Sequence, residues 1–93
     1  MAKLTAQQLE QALDSLRGWA DDGDAIRKLF QFEDFITAMT FVNRVAELAE
    51  QHGHHPDIDI RYNKVLIALV THDQGGITAL DTSLAGDIDE LLG

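Results

Sequence analysis

The chain has 93 residues, of which 45% are hydrophobic, and its 16 acidic and 7 basic residues leave a formal net charge of -9. A chain of this length makes one small domain, 1-93, which buries a modest share of its surface and often gains from self-association. The acidic balance argues against a nucleic-acid surface, which needs clustered Lys and Arg, and the absence of Cys excludes disulfides and thiolate metal sites.

The first predicted element is an amphipathic helix over residues 5–16. Thr5 and Gln8 stand at capping-box spacing, and Gly18 follows as a stop. Apolar residues at helical spacing form one face: Leu9, Ala12, Leu13 and Leu16.

A hairpin is predicted from Trp19 to Phe32. Asp22-Gly23 is the expected tight turn, because this dipeptide suits the backbone of short hairpin loops. Ile26, Phe30 and Phe32 would share one face of the second strand. Lys28 falls on that same face, which leaves the register open.

The longest predicted helix runs from residue 34 to residue 52. Its apolar residues recur at spacings of three and four, which predicts a face that covers a sheet. That predicted face consists of Phe35, Met39, Val42, Ala46 and Ala49.

A second hairpin follows. Residues 58–62 alternate strictly between apolar and polar side chains, which predicts a strand with one wet face, and Asn63-Lys64 is the expected loop. Residues 65–71 are apolar on both faces, so the second face of that strand needs a cover, which another subunit could provide.

The last predicted helix begins near Thr78, where Thr78 and Asp81 have capping-box spacing. Leu80, Leu84, Ile88 and Leu91 form its inner stripe. The element order α-β-β-α-β-β-α predicts a two-layer α+β fold, with a four-stranded antiparallel sheet and the helices on one face.

Histidine is concentrated at the junction between the long helix and the following strand. His52, His54 and His55 lie within four residues. Imidazole exchanges protons near neutrality because its unperturbed pKa is about 6.5. Gly53 suits a helix C-terminus and Pro56 biases His55 toward an extended backbone, which predicts a rigid corner with acid/base capacity.

A longer pattern includes this corner: Glu50, three residues, His54-His55-Pro56, five residues, Tyr62, nine residues, His72, eight residues and Asp81. It resembles the signature of the pterin-4a-carbinolamine dehydratases at every position. The segments 29–35 and 45–50 are also similar to that family, so the resemblance covers nearly the whole chain.

The resemblance implies a hydro-lyase that dehydrates 4a-hydroxytetrahydrobiopterin, without a cofactor or metal, in recycling of the tetrahydropterin. It places His54, His55 and His72 in the active site. On that basis His54 and His72 are expected to transfer protons near the 4a-hydroxyl, and His55 to hold and polarise the pterin.

Two of the histidines have structural interpretations. By strand parity His72 lies on the side of Leu66, Ala68 and Val70, where a lone histidine is more often a core or edge residue, but its family match favours the active site. His52 lies outside the matched positions, at a helix end where an imidazolium complements the dipole, and is interpreted as structural.

Further candidates for substrate binding are Glu50, Pro56, Thr71, Asp73 and Asp81. Asp81 is either a helix cap or a group that orients a histidine or bonds the pterin, and both roles are compatible. Glu50 is either a partner of the site or an exposed helix residue. Pro56 shapes the corner, whereas Thr71 and Asp73 flank His72.

A metal site is the main chemical alternative to histidine acid/base catalysis. Catalytic zinc needs three convergent ligands, but adjacent residues such as His54 and His55 normally diverge, and no HExxH spacing is present. We expect no metal.

The expected partners are a pterin substrate and further copies of this chain, as a homodimer or homotetramer. The resemblance also leaves open a small protein-interaction module derived from this fold.

No stretch approaches the roughly 20 apolar residues of a membrane span, and the start of the chain has no signal-like apolar run. We therefore expect a cytoplasmic protein with no membrane or nucleic-acid partner.

Overall fold

A computed structural model describes residues 2–93 and shows three helices and a four-stranded antiparallel sheet. The helices are α1 (Ala6–Ser15), α2 (Phe35–His52) and α3 (Ala79–Glu90), and the strands are β1 (Ala20–Asp21), β2 (Ile26–Gln31), β3 (Asp57–Arg61) and β4 (Lys64–Leu69). The strand order across the sheet is β1-β2-β4-β3. The helices cover one face of the sheet, so the predicted two-layer α+β fold is confirmed.

Each helix begins where the sequence provides a cap. Thr5 and Gln8 form the predicted capping box of α1, and Thr78 and Asp81 form that of α3. Asp34 caps α2 by accepting a hydrogen bond from the Thr37 backbone N–H at 2.8 Å. These caps satisfy N–H groups that have no partner inside the helix, which is why the predicted helix starts were accurate.

One hydrophobic core lies between the sheet and the helices. From the sheet it contains Ile26, Phe30, Val65, Ile67 and Leu69, and from the helices and their ends Leu16, Trp19, Ala38, Phe41, Val45, Leu84, Ala85 and Ile88. The helix-facing residues of β2 and β4 are opposite one another in the antiparallel register, for example Phe30 and Val65.

Lys28 shares this inner face with Ile26 and Phe30, which settles the register that the sequence left open. Lys28 Nζ donates to the Arg17 carbonyl and to Asp89 Oδ1, each at 2.9 Å. It also lies 4.9 Å from the centroid of the Phe30 ring. The lysine is accepted at the core margin because its charge has polar partners and its stem packs on apolar surface.

Both predicted hairpin turns differ from the structure. The first loop is longer than a two-residue Asp22-Gly23 turn, since Asp21 pairs with Ile26 and the loop spans residues 22–25. Asp22 Oδ1 accepts the N–H groups of Asp24 and Ala25, at 3.0 and 2.9 Å, and these bonds stabilise the wider loop.

The loop between β3 and β4 is Tyr62-Asn63, one residue earlier than predicted, because Arg61 pairs with Lys64. Tyr62 takes a positive φ of 53° in this loop. Asn63 is held by the adjacent strand: its side chain donates to the Phe32 carbonyl at 2.8 Å, and its own carbonyl accepts the Phe32 N–H at 2.9 Å.

The prediction of which α2 residues face the core was also wrong, apart from Ala49. The buried residues of α2 are Ala38, Phe41, Val45 and Ala49, whereas Phe35 is exposed and Met39 is only partly buried. The helix carries apolar residues around much of its circumference, so periodicity alone does not select one stripe. Phe41 decides the orientation, since its ring packs 4.8 Å from that of Phe30 and 4.9 Å from that of Phe32.

The other face of the sheet has no helix over it. In β4 it carries Leu66 and Ala68, and in β2 it carries Leu29, whose exposed fraction is 57%. The prediction that β4 is apolar on both faces is therefore confirmed. On its second face Leu66 is partly buried and Ala68 is buried, so the exposed apolar surface of this face lies mainly at Leu29 of β2. No helix among residues 2–93 is long and apolar enough to cross a membrane.

Candidate active site

The corner after α2 is built by Gly53. This residue adopts a left-handed conformation, with φ of 62°, and its N–H bonds to the carbonyls of Ala49 and Glu50. The His54 N–H also bonds to the Ala49 carbonyl, at 3.1 Å. The helix therefore ends at Gly53, and His54 and His55 follow directly from its C-terminus.

The second part of the site follows β4. The strand ends at Leu69, and Thr71 bridges to Gly76 around a short 3₁₀ turn that spans His72–Gln74. His72 therefore opens a turn and does not continue the strand, and the turn closes when the Gly75 N–H bonds to the His72 carbonyl at 3.0 Å. His72 nevertheless lines a cavity with Val70 and with Arg27, a neighbour of Ala68, on the side of the sheet that strand parity predicted.

These two segments face each other across a cavity of about 280 Å³. Its lining consists of Gly53, His54, His55, Val70, Thr71, His72, Asp73 and Leu80. Three imidazoles from two separate segments thus converge on one space. Its walls also provide apolar surface from Val70 and Leu80, which suits a flat ring system with polar edges.

His54 is held by a fully buried carboxylate at the start of α3. His54 Nε2 lies 2.5 Å from Asp81 Oδ1, with 11% of the His54 side chain and none of the Asp81 side chain exposed. Asp81 Oδ2 accepts the Thr71 hydroxyl at 2.8 Å and the Thr78 backbone N–H at 2.9 Å. The carboxylate is therefore both the cap of α3 and the partner of His54.

His55 is held more loosely. Its Nε2 lies 2.5 Å from Glu50 Oε2, but both side chains are largely exposed. Water screens such a pair, so Glu50 restrains the His55 ring much less than Asp81 restrains His54.

His52 lies outside the cavity lining, in agreement with its structural interpretation. Its Nε2 bonds to Asp87 Oδ2 at 2.7 Å, which joins the end of α2 to α3. Its role in the fold is thus a contact between two helices.

The other predicted site residues divide into four groups. Thr71 and Asp73 line the cavity with the histidines, Glu50 contacts it through His55, and Asp81 lies behind His54. Pro56 is not among the lining residues and serves the corner.

Sequence reasoning missed Thr78 as a residue connected to the site. It was recognised only as a helix cap, but its hydroxyl also lies 2.8 Å from that of Thr71. The capping pattern was the one signal available, and it does not reveal a contact with a different segment. Among residues 2–93 no group of three His, Asp or Glu side chains is arranged to hold a metal ion.

Comparison with known proteins shows the family of the chain. The family model for pterin 4 alpha carbinolamine dehydratase matches residues 2–91. The chain belongs to that family. It is thus a member of a family of dehydratases, enzymes of the hydro-lyase class, and the resemblance seen in the sequence is confirmed.

Relatives with the name "Putative pterin-4-alpha-carbinolamine dehydratase" are similar over their whole length. One from Acidobacterium capsulatum is 54% identical over 92 residues, covering 99% of this chain and 100% of the relative. Another, from Sulfurisphaera tokodaii, is 49% identical and covers 99% of each chain.

Two solved structures of the dehydratase fold are also similar. A transcriptional coactivator/pterin dehydratase from Brucella melitensis superimposes with a TM-score of 0.93 at 39% identity, covering 98% of this chain and 99% of that one. A pterin dehydratase-like protein identified as a RuBisCO assembly factor in the alpha-carboxysome has a TM-score of 0.71 at 25% identity, covering 83% of this chain and 92% of that one.

Proposed function

We propose that this protein dehydrates 4a-hydroxytetrahydrobiopterin to quinonoid dihydropterin and water by histidine acid/base catalysis, and so recycles the tetrahydropterin cofactor. The observation that carries the proposal is the convergence of His54, His55 and His72 on one cavity of about 280 Å³. Family membership supports the assignment of the reaction. The cavity lining supports the choice of His54, His55 and His72 as the residues that carry it out.

The reaction needs two proton transfers. The bond between C4a and the hydroxyl oxygen breaks, and that oxygen takes a proton and leaves as water. N5 loses its proton, and its electron pair forms the N5=C4a double bond of the quinonoid product. One group must act as an acid and another as a base, and each transfer of this kind typically contributes about 10² to 10⁴-fold to the rate.

We assign the two transfers to His54 and His72, since they line one cavity from two separate segments of the chain. Two groups on separate segments can act on two different atoms of one ring system, whereas adjacent side chains diverge. We assign His55 to holding and polarising the pterin, with Glu50 as its exposed partner. Asp73, at the rim of the cavity, is available to hydrogen-bond polar edges of the pterin.

Asp81 supports this chemistry from behind. It is fully buried and its two oxygens accept bonds from His54, Thr71 and Thr78. We therefore assign Asp81 to orienting His54, in place of the direct bond to the pterin that the sequence left open. A carboxylate in this position also stabilises an imidazolium that forms during turnover.

A turnover assay tests the proposal. Purified protein is mixed with freshly generated 4a-hydroxytetrahydropterin, and formation of the quinonoid dihydropterin is followed by stopped-flow absorbance. We expect acceleration over the uncatalysed reaction, with no loss of activity after treatment with a chelator. Activity that a chelator abolishes and zinc restores would contradict the metal-free mechanism.

Absence of any acceleration would favour the alternative, a small interaction or assembly module. The similar RuBisCO assembly factor shows that this fold can occur in such a protein. The three histidines that line one cavity favour the enzyme, since an interaction module has no need of them. We also propose that the chain acts as a homodimer or homotetramer.

A further inference from the structure

Behind the cavity lies a chain of hydrogen bonds that ends at His54. The Leu80 N–H donates to Thr78 Oγ1 at 3.2 Å, and the Thr78 and Thr71 hydroxyl oxygens are 2.8 Å apart. The Thr71 hydroxyl donates to Asp81 Oδ2 at 2.8 Å, while the other oxygen of Asp81 faces His54. Thr71, Thr78 and Asp81 are buried.

The direction of each bond follows from counting hydrogens. Thr71 has one hydroxyl hydrogen, and the carboxylate of Asp81 takes it, so Thr71 can only accept from Thr78. Thr78 then donates to Thr71 and accepts from the Leu80 N–H. The chain runs in one direction, from the backbone of α3 through two hydroxyls to the carboxylate.

The same counting determines the protonation of the His54 ring. An ionised carboxylate can only accept hydrogen bonds, so the hydrogen of the close contact lies on Nε2. Neutral imidazole carries one N–H, so Nδ1 is then unprotonated and is the ring nitrogen available to a ligand in the cavity.

We propose that the Thr71 and Thr78 hydroxyls are positioning residues, which orient Asp81 and through it keep His54 in the tautomer with a free Nδ1. This inference rests on the proposed function and adds to it that resting His54 is the base, since an unprotonated Nδ1 can accept a proton but cannot donate one. The acid role then falls to His72.

The burial of Thr71 and Thr78 distinguishes a positioning role from direct contact with substrate. Thr71 lines the cavity, but it is buried, with only 7% of the residue exposed. Its hydroxyl hydrogen is already donated to Asp81. Thr78 is fully buried. A change at either hydroxyl therefore reaches the substrate through Asp81 and His54.

Thr71 is the better position for a test, because Thr78 also caps α3. Thr71→Val keeps the side-chain shape but removes the donor to Asp81, and we expect kcat to fall roughly tenfold or more with KM little changed, since bonds to charged groups are the stronger ones. Thr71→Ser retains the hydroxyl and should recover most of the lost turnover. Thr40→Val, at an exposed threonine of α2, is the control and should leave turnover unchanged.

A double-mutant cycle shows whether the effect passes through His54. In a His54→Ala background, Thr71→Val should add little further loss in kcat. An equal loss in both backgrounds, or a loss confined to KM, would show that Thr71 contacts substrate directly and would overturn the proposal.

Nitrogen-15 NMR of the histidine rings gives a readout independent of activity. In the wild-type protein, the neutral His54 ring should show a protonated Nε2 and an unprotonated Nδ1, and in Thr71→Val a mixture of the two tautomers. A wild-type ring protonated on Nδ1 would overturn the proposal even if the valine variant failed to fold. If the wild-type protein shows no turnover, the proposed function fails, while the tautomer comparison still decides whether Thr71 controls the His54 ring.

Discussion

At the scale of single residues, neighbouring histidines have different environments. His52 and His54 are two residues apart, and each ring bonds to an aspartate of α3. The Asp81 side chain is fully buried behind the cavity, whereas that of Asp87 is 46% exposed. The contact between His54 and Asp81 thus belongs to the candidate site, whereas the similar contact between His52 and Asp87 joins two helices of the fold.

This difference predicts the outcome of three alanine substitutions. His54→Ala and His72→Ala should each lower turnover by about 10² to 10⁴-fold, because each removes a group that transfers a proton. His52→Ala should retain turnover and instead lower the thermal unfolding temperature, because Asp87 loses its partner. Steady-state kinetics and thermal unfolding of the three variants measure these effects, and equal losses of turnover in all three would contradict the assignment.

At the scale of elements, the ends of two helices position the side chains of the candidate site. The C-terminus of α2 delivers His54 and His55, and the N-terminus of α3 delivers Asp81. The positions of the proposed catalytic groups therefore depend on where α2 ends and where α3 begins.

Two glycines should respond oppositely to alanine. Gly53 has φ of 62°, and a Cβ there would meet no atom within 4 Å, so Gly53→Ala introduces backbone strain alone. We expect it to lower the free energy of unfolding by about 1–2 kcal/mol. Gly86 lies inside α3, where a Cβ would make an ordinary contact with Leu16 at 3.9 Å, so Gly86→Ala should raise the free energy of unfolding by roughly 0.5–1 kcal/mol.

Chemical denaturation of the two variants measures both changes. Gly53→Ala should also reduce turnover, since it moves the corner that carries His54 and His55, whereas Gly86→Ala should not. A stable and fully active Gly53→Ala protein would show that the left-handed corner is not required.

The cap of α2 should make the fold sensitive to acid. Hydrogen bonds from the Thr37 side chain and then from its backbone N–H lower the pKa of Asp34 below its usual value of 3.8. A lowered folded-state pKa means that the stabilisation is complete above about pH 3.8 and is lost as the pH falls through the folded-state value.

Asp34→Asn is the matched variant, because asparagine caps a helix but does not titrate in this range. Between about pH 5 and pH 2, its free energy of unfolding should depend less steeply on pH than that of the wild-type protein. Parallel curves for the two proteins would show that Asp34 does not contribute to the acid response.

At the scale of the whole molecule, the open face of the sheet is incomplete in a single chain. Leu29 is 57% exposed on this face, next to Leu66 of β4. Exposed apolar surface of this kind often marks an interface. We therefore expect dimers or tetramers at micromolar concentration, and sedimentation that shows only a 10.3 kDa monomer would contradict this.

Charged substitutions test which face associates. Leu29→Glu should dissociate the oligomer and leave a folded monomer, because Leu29 is 57% exposed on the open face. Ala68→Glu places a charge on the same face at a residue that is buried in the single chain, and dissociation to a folded monomer would show that an interface covers it. Gln7→Glu, on the exposed side of α1, adds the same charge elsewhere and should leave the oligomer intact. Complete unfolding of Ala68→Glu would instead place Ala68 in the core of the subunit.

The sequence by itself determined the element order, the helix caps and the family. Each of these depends on residues that are close together in the chain. Thr5 with Gln8 and Thr78 with Asp81 are three residues apart, and a cap of this kind forms wherever its short segment is helical. The spacing of the histidines was sufficient to indicate the family for the same reason, since it is read along the chain.

The tertiary structure alone decided which stripe of α2 is buried and what holds His54. Phe41 determines the buried stripe because its ring packs on those of Phe30 and Phe32. Asp81 contacts His54, although the two residues are 27 positions apart in the sequence. Periodicity does not contain such contacts, because it records only how one segment is patterned. The orientation of the His54 ring depends on three segments that meet behind the cavity, and their contact is a property of the packed fold.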